Sequence, residues 1–169
     1  MNINVLFGSG DGKLGLILTG STNAKVGKAT REMFKSAIPG FSELVDKLEA
    51  QFTSTKERFG ENKAFIRGLD GRIIFTESKH KVLNYLLQTC ESITCKAAIV
   101  YLKHKLLELG IPHYFSIHYH DELAVVVDEQ YGDQVRALSI EAFTEAPKTF
   151  GVMCMGGDAH VGHSYAEVH

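Results

Sequence analysis

Phe115-Ser116-Ile117-His118-Tyr119-His120-Asp121-Glu122-Leu123-Ala124-Val125-Val126-Val127 reads as two strands around a polar knot. Tyr114 to Tyr119 is aromatic and β-branched, and Leu123 to Val127 is continuously apolar. Two such runs joined by a tight polar turn form a β-hairpin. The knot, His120-Asp121-Glu122, then lies at the tip. Carboxylates on a rigid tip suit a cation that acts on phosphate. The plainer reading is a solvated acidic turn.

On the N-terminal side, Lys79 to Leu109 is the longest helical pattern, with no Pro or Gly inside it. Val82, Leu83, Leu86, Leu87, Ile93, Ala97, Val100 and Leu107 give it a broad apolar face. His80, Asn84, Gln88 and Glu91 fall at helical spacing and form a separate polar strip. Amides with a histidine suit hydrogen bonding to sugars and base edges in a minor groove. Gly110 and Pro112 end the helix.

Further upstream, Lys63–Arg67 and Arg72–Phe75 bracket Gly68-Leu69-Asp70-Gly71, a second hairpin with Asp-Gly turn chemistry. Phe41 to about Thr55 is a helix with Leu44, Val45, Leu48 and Phe52 on one face. Thr22 or Asn23 starts a helix to about Ala37 that carries Lys25, Lys28, Arg31 and Lys35. Asp11 is expected to cap a short helix over Gly12–Leu18, ended by Gly20. Downstream of the acidic hairpin, Gln130 to about Ala146 is amphipathic. Val152–Met155 is expected to be a last strand, and the tail is rich in Gly and His. The layout predicts an α+β fold.

The 169 residues suffice for one core or two lobes. No apolar run spans a membrane and no signal peptide is legible. Cys90, Cys95 and Cys154 have no CxxC spacing, which suggests reduced thiols in a cytoplasm. The formal net charge of -2 is uneven. Through Gly110 there are 16 Lys and Arg against 11 Asp and Glu, and from Ile111 onward 2 against 9. A basic first part and an acidic last part suit a protein that holds a polyanion and a cation.

Three chemistries compete. His118, His120 and Asp121, with His160 and His163, could form a zinc site, since His118 and His120 share a strand face. Cys90 or Cys95 with a histidine could act as a nucleophile, though cysteines inside a helix more often pack. Metal-assisted phosphoryl transfer through Asp121 needs a second carboxylate, and no second carboxylate motif is evident.

Five ordered segments resemble the C-terminal part of a family A DNA polymerase, the phage-type branch related to DNA polymerase I. His120-Asp121-Glu122-Leu123 is similar to its third motif, VHDEL. Gly68-Leu69-Asp70-Gly71-Arg72 matches its GLDGR segment, and Leu83-Asn84 through Gln88 to Cys95-Lys96 its "LN…LLQ…ICK" helix. Phe7-Gly8-Ser9-Gly10-Asp11 with Lys13 resembles "YGAGDEK", and Gly162-His163-Ser164-Tyr165 to His169 resembles "GPNW…H".

The resemblance implies a fingers portion over residues 1–78 and a palm portion over 79–169, the latter with the long helix and the acidic hairpin. It implies that Asp121, assisted by Glu122, binds catalytic magnesium (Mg2+), and that His120 sits by the primer 3′ end. His80, Asn84 and Gln88 would touch the primer-template minor groove, Arg72 the DNA backbone, and Phe7 the region of the templating base. Tyr119 stands where the family has Val, Tyr165 where it has Trp, and Phe7 where it has Tyr. The first motif, the thumb, the exonuclease domain and most of the nucleotide-binding helix have no counterpart here. The expectation is therefore a split DNA-directed DNA polymerase working on primer-template DNA and dNTP with an N-terminal partner polypeptide, in the cytoplasm of a bacterial host. The alternative is a non-catalytic DNA-binding or structural remnant. A free-standing zinc or phosphate hydrolase is the third reading.

Overall fold

The computed structural model describes residues 10–168. Six α-helices, four short 3-10 helices and two antiparallel two-stranded sheets make up the regular structure of these residues, an α+β architecture. The chain clusters into two compact units, one through Gln88 and the other from Thr89.

In the first unit, α1 (Asp11–Thr19) and α2 (Ala24–Ala37) form a tight helical hairpin. Gly20 closes α1 in the left-handed conformation, its N–H donating to the Leu16 carbonyl. Asn23 caps α2 by accepting from the Val26 N–H at 3.2 Å. Asp11 is not a cap. Gly10 occupies the cap position, so Asp11 is already helical, and its carboxylate accepts from Arg31 Nε at 2.8 Å.

The two backbones touch because neither helix has a side chain at the crossing. A Cβ on Gly27 would lie 1.9 Å from the Asp11 carbonyl oxygen, and one on Gly15 2.0 Å from that of Asn23. Backbone cannot move aside as a flexible side chain can. Gly27→Ala is therefore expected to cost about 3 kcal/mol, the upper end of overpacking penalties. Lys28→Ala, one residue away and exposed, should stay within about 0.5 kcal/mol. Urea denaturation of the two variants checks this through the shift in midpoint.

α3 (Phe41–Phe59) buries Leu48 and Phe52 against the hairpin of β1 (Phe65–Arg67) and β2 (Ile73–Phe75). The register pairs Phe65 with Phe75, Ile66 with Ile74 and Arg67 with Ile73. Alternation sends Ile66 and Ile74 into a core with Ala64, Val82 and Leu86. Thr55 clamps the edge: its hydroxyl donates to the Phe65 carbonyl at 2.8 Å and accepts from the Phe65 N–H at 3.0 Å.

A short 3-10 turn, Lys79–Lys81, leads into α4 (Val82–Glu108). The first unit takes α4 through Gln88, and the second takes the remainder. There, Ala98, Leu102, Leu106 and Ile111 form a core with Val135, Ala142 and Ala146. Phe115, Leu123, Val125 and Val127 of the hairpin β3 (His113–Tyr119) and β4 (Glu122–Val127) pack against it. So do Leu138 and Phe143 of α5 (Gly132–Glu145). Tyr101 donates from its hydroxyl to Glu141 at 2.6 Å, and this bond, with burial and the Glu141 charge, pushes the phenol up to about 12. Val152–Met155 is not a strand, because β-prone side chains without a partner edge gain no ladder. The last element is α6 (Tyr165–Val168). Among the described residues no helix is long and apolar enough to cross a membrane.

Candidate active-site hairpin and nucleic-acid interface

β3 and β4 pair antiparallel up to Tyr119 opposite Glu122, leaving His120 and Asp121 as a two-residue turn. His120 has φ 53°, the one positive φ outside glycine among the described residues. Two-residue hairpin turns need such a residue because their twist must match that of the strands. A histidine accepts the left-handed region less readily than glycine, so some strain is held here. The His120 ring sits edge-on to Tyr119, centroids 4.4 Å apart.

A β-bulge lies below the tip. Phe115 opposes Val125, but Ile117 opposes Ala124, so Ser116 is the extra residue. The Ser116 hydroxyl donates to the Ala124 carbonyl at 3.2 Å. A bulge adds twist and re-aims the side chains beyond it. Here the shift puts Leu123, which packs on the core, opposite exposed His118.

Asp121 is exposed, and Glu122 is half-buried as the first residue of β4. Tyr165, from α6, donates its hydroxyl to the Glu122 carboxylate. That bond raises the phenol's pKa, with burial and the negative charge of Glu122 adding to it. The tail is shaped to deliver this ring. The His163 N–H donates to Glu167 Oε2 at 2.8 Å, and a Cβ on Gly162 would meet the Glu167 Cβ at 2.9 Å. From sequence, Tyr165 reads only as a substitute for Trp. A polar hydroxyl in that place is the one signal of its further role.

Burial raises the thiol pKa of Cys90 and, with Glu91 and Asp121 adding, that of Cys95. Both are kept in the weakly nucleophilic thiol form, which disfavours cysteine chemistry. Among the described residues no three His, Cys, Asp or Glu side chains converge so as to hold a metal. The histidine cluster considered for zinc is therefore not assembled there. The Asp121–Glu122 pair offers hard carboxylate oxygens, the donors magnesium prefers, and fits it as one part of a ligand set.

His80, in the 3-10 turn, and Gln88 are exposed or partly exposed, and Asn84 is half-buried between them in sequence. Asn84 Oδ1 is buried with no hydrogen-bond partner among the described residues. Arg72 folds back on its own turn, with Nε donating to Asp70 Oδ2 at 2.7 Å. That hydrogen bond holds the Asp70 carboxyl below the usual carboxylate range. Phe7 lies outside the described residues. His120, Asp121, Glu122 and Tyr165 belong to the second unit, and His80, Asn84 and Gln88 to the first.

No known family profile matches the chain. It is 25% identical over 178 aligned residues to the DNA-directed DNA polymerase of Enterobacteria phage T3, covering 97% of this chain and 25% of that one. It is 27% identical over 158 residues to the DNA-directed DNA polymerase of Escherichia phage T7, covering 86% and 22% respectively. Its fold matches the POL domain of Pol1 from M. smegmatis, solved with DNA primer-template and dNTP. That match has a TM-score of 0.69 at 16% identity, over 86% of this chain and 26% of that one. The chain spans about a quarter of the length of the curated relatives it matches. It is homologous to the phage DNA-directed DNA polymerases over most of its own length, and its fold is that of the matching part of a polymerase domain.

Proposed function

We propose that this chain supplies one carboxylate arm of a two-metal nucleotidyl-transfer centre and part of the primer-template grip of a DNA-directed DNA polymerase, and that a second polypeptide completes the site. The carrying observation is a carboxylate pair on a tight, core-anchored turn in a chain homologous to DNA polymerases. The site would work in the cytoplasm of the host cell.

Asp121 and Glu122 would hold magnesium. When bound, the cation neutralises charge developing on phosphate oxygens. The chain's own contribution is positioning. The two-residue turn and the bulge would set where Asp121 points, and the Tyr165 hydroxyl would help orient Glu122. His120 would orient the primer end, and His80, Asn84, Gln88 and Arg72 would hold the duplex through its minor groove and backbone.

Primer extension tests the proposal. The chain alone should not extend a primer-template. Mixed with the N-terminal polymerase polypeptide that carries the first motif, it should. Extension by the chain alone, or inactivity of two folded and associated pieces, would overturn it.

Tyr165→Phe separates positioning from folding. The ring is partly exposed, so stability should change by no more than about 0.5 kcal/mol. Losing a partner that orients a metal-binding carboxylate typically costs about 10- to 100-fold in metal affinity or activity. The expected result is a rise of about that size in the magnesium concentration giving half-maximal extension. An unchanged magnesium dependence would remove Tyr165 from the site.

A further inference from the structure

The outer face of the β1–β2 hairpin is built unlike an ordinary solvated surface. Phe75 is 65% exposed, Ile73 49% and Phe59 46%. The rings form a run: Phe59 to Phe65 at 5.6 Å and Phe65 to Phe75 at 6.2 Å between centroids. Two arginines border it. The Arg58 guanidinium stands 5.2 Å from the Phe59 centroid and that of Arg67 6.0 Å from the Phe65 centroid. Among the described residues neither arginine is ion-paired with a carboxylate. The nearby acids are engaged elsewhere: Glu61 with Lys56, Asp70 with Arg72 and Glu77 with Lys81.

We infer that this aromatic shelf, Phe59, Phe65 and Phe75 edged by Arg58 and Arg67, binds single-stranded DNA by stacking bases on the rings and pairing phosphates with the arginines. Exposed aromatics need a partner that covers them. Unpaired bases do so without sequence preference, because every base has a π-face. The free positive charge favours a polyanion over an apolar protein surface. A duplex hides its base faces and cannot stack in this way. The choice of DNA over RNA rests on the polymerase reading; the stacking chemistry does not. An unpaired template strand is a ligand such an enzyme always handles.

The chain contains no tryptophan, so Phe75→Trp gives a single fluorescent reporter on the shelf. Tyr114→Trp, at a position 69% exposed on β3, is the control. Oligo(dT) should quench the first reporter and not the second, and a blunt duplex should quench neither. Phe75→Ala should weaken oligo(dT) binding about 5- to 140-fold, the equivalent of one lost base stack. Arg58→Gln with Arg67→Gln should flatten the log–log salt dependence by about 1.4, as for two single-strand phosphate contacts. Equal quenching at both reporters, quenching by duplex, or unaltered binding by Phe75→Ala would overturn the inference. So would quenching only by the N-terminal polymerase polypeptide, which would make the shelf a protein interface. Quenching by oligo(dT) while the unsubstituted chain, reassembled with the N-terminal polypeptide, never yields extension would count against the polymerase reading alone. Extension without quenching would count against the shelf alone.

Discussion

Asp121→Asn in the reassembled polymerase is expected to lower magnesium-dependent extension at least about 1,000-fold and to leave primer-template affinity within about twofold. The first number comes from the role proposed for the carboxylate. Charge neutralisation by a bound cation is worth several kcal/mol at the transition state, and each ~1.36 kcal/mol is a tenfold change in rate. Asparagine keeps the shape and a carbonyl oxygen but removes the charge that would hold the cation on the proposed reading. The second number comes from exposure. Asp121 sits at a solvent-facing tip and supports no core side chain, so the hairpin should survive its replacement. A steady-state rate assay beside an equilibrium DNA-binding assay separates the two. A purely DNA-binding remnant would show neither loss. A fall in both would mean that Asp121 supports the fold and not the chemistry.

Much of this fold is legible in single residues. Gly110 marks the end of α4 because only an easily left-handed residue can turn the chain there, and it has φ 65°. Asp70-Gly71 marks the first hairpin for the same reason, with Gly71 at φ 81°. The acidic turn is legible from two apolar runs and a polar break. The illegible features depend on residues far apart in sequence. Asp11 reads as a cap because capping is local, yet Arg31 on the facing helix claims its carboxylate. Leu44 reads as part of an apolar face, yet among the described residues it stays exposed. The Ser116 bulge leaves the apolar alternation nearly intact, so hydrophobic pattern alone does not reveal the register shift. Glu122 is legible as a carboxylate at the tip. Its hydroxyl partner, 43 positions later, exists only once α6 is folded against the hairpin.

Leu102→Ala is expected to have the largest effect on stability. Leu102 is fully buried, within the core shared by α4, α5 and the inner face of the acidic hairpin. Truncating such a leucine removes its transfer free energy and leaves a cavity, a cost of about 2.7–5 kcal/mol. That is a large share of the roughly 5–15 kcal/mol that holds an ordinary domain together. Leu107→Ala, on the same helix but 59% exposed, should cost no more than about 0.5 kcal/mol. Helix propensity cannot separate the two, since both exchange the same residue types in one helix. Any difference is therefore packing. Chemical denaturation of the full chain measures it, and extension by the reassembled enzyme reports its consequence. Phe115, Leu123 and Val125 lean on the same core, so loosening it frees the strands that carry Asp121 and Glu122. Leu102→Ala should thus lose activity together with stability, and a ligand that binds only the folded state should restore part of both. Asp121→Asn should lose activity alone. If Leu102→Ala proved as stable as Leu107→Ala, the core assigned to the second unit would be wrong, and no packed scaffold would hold the acidic tip in place.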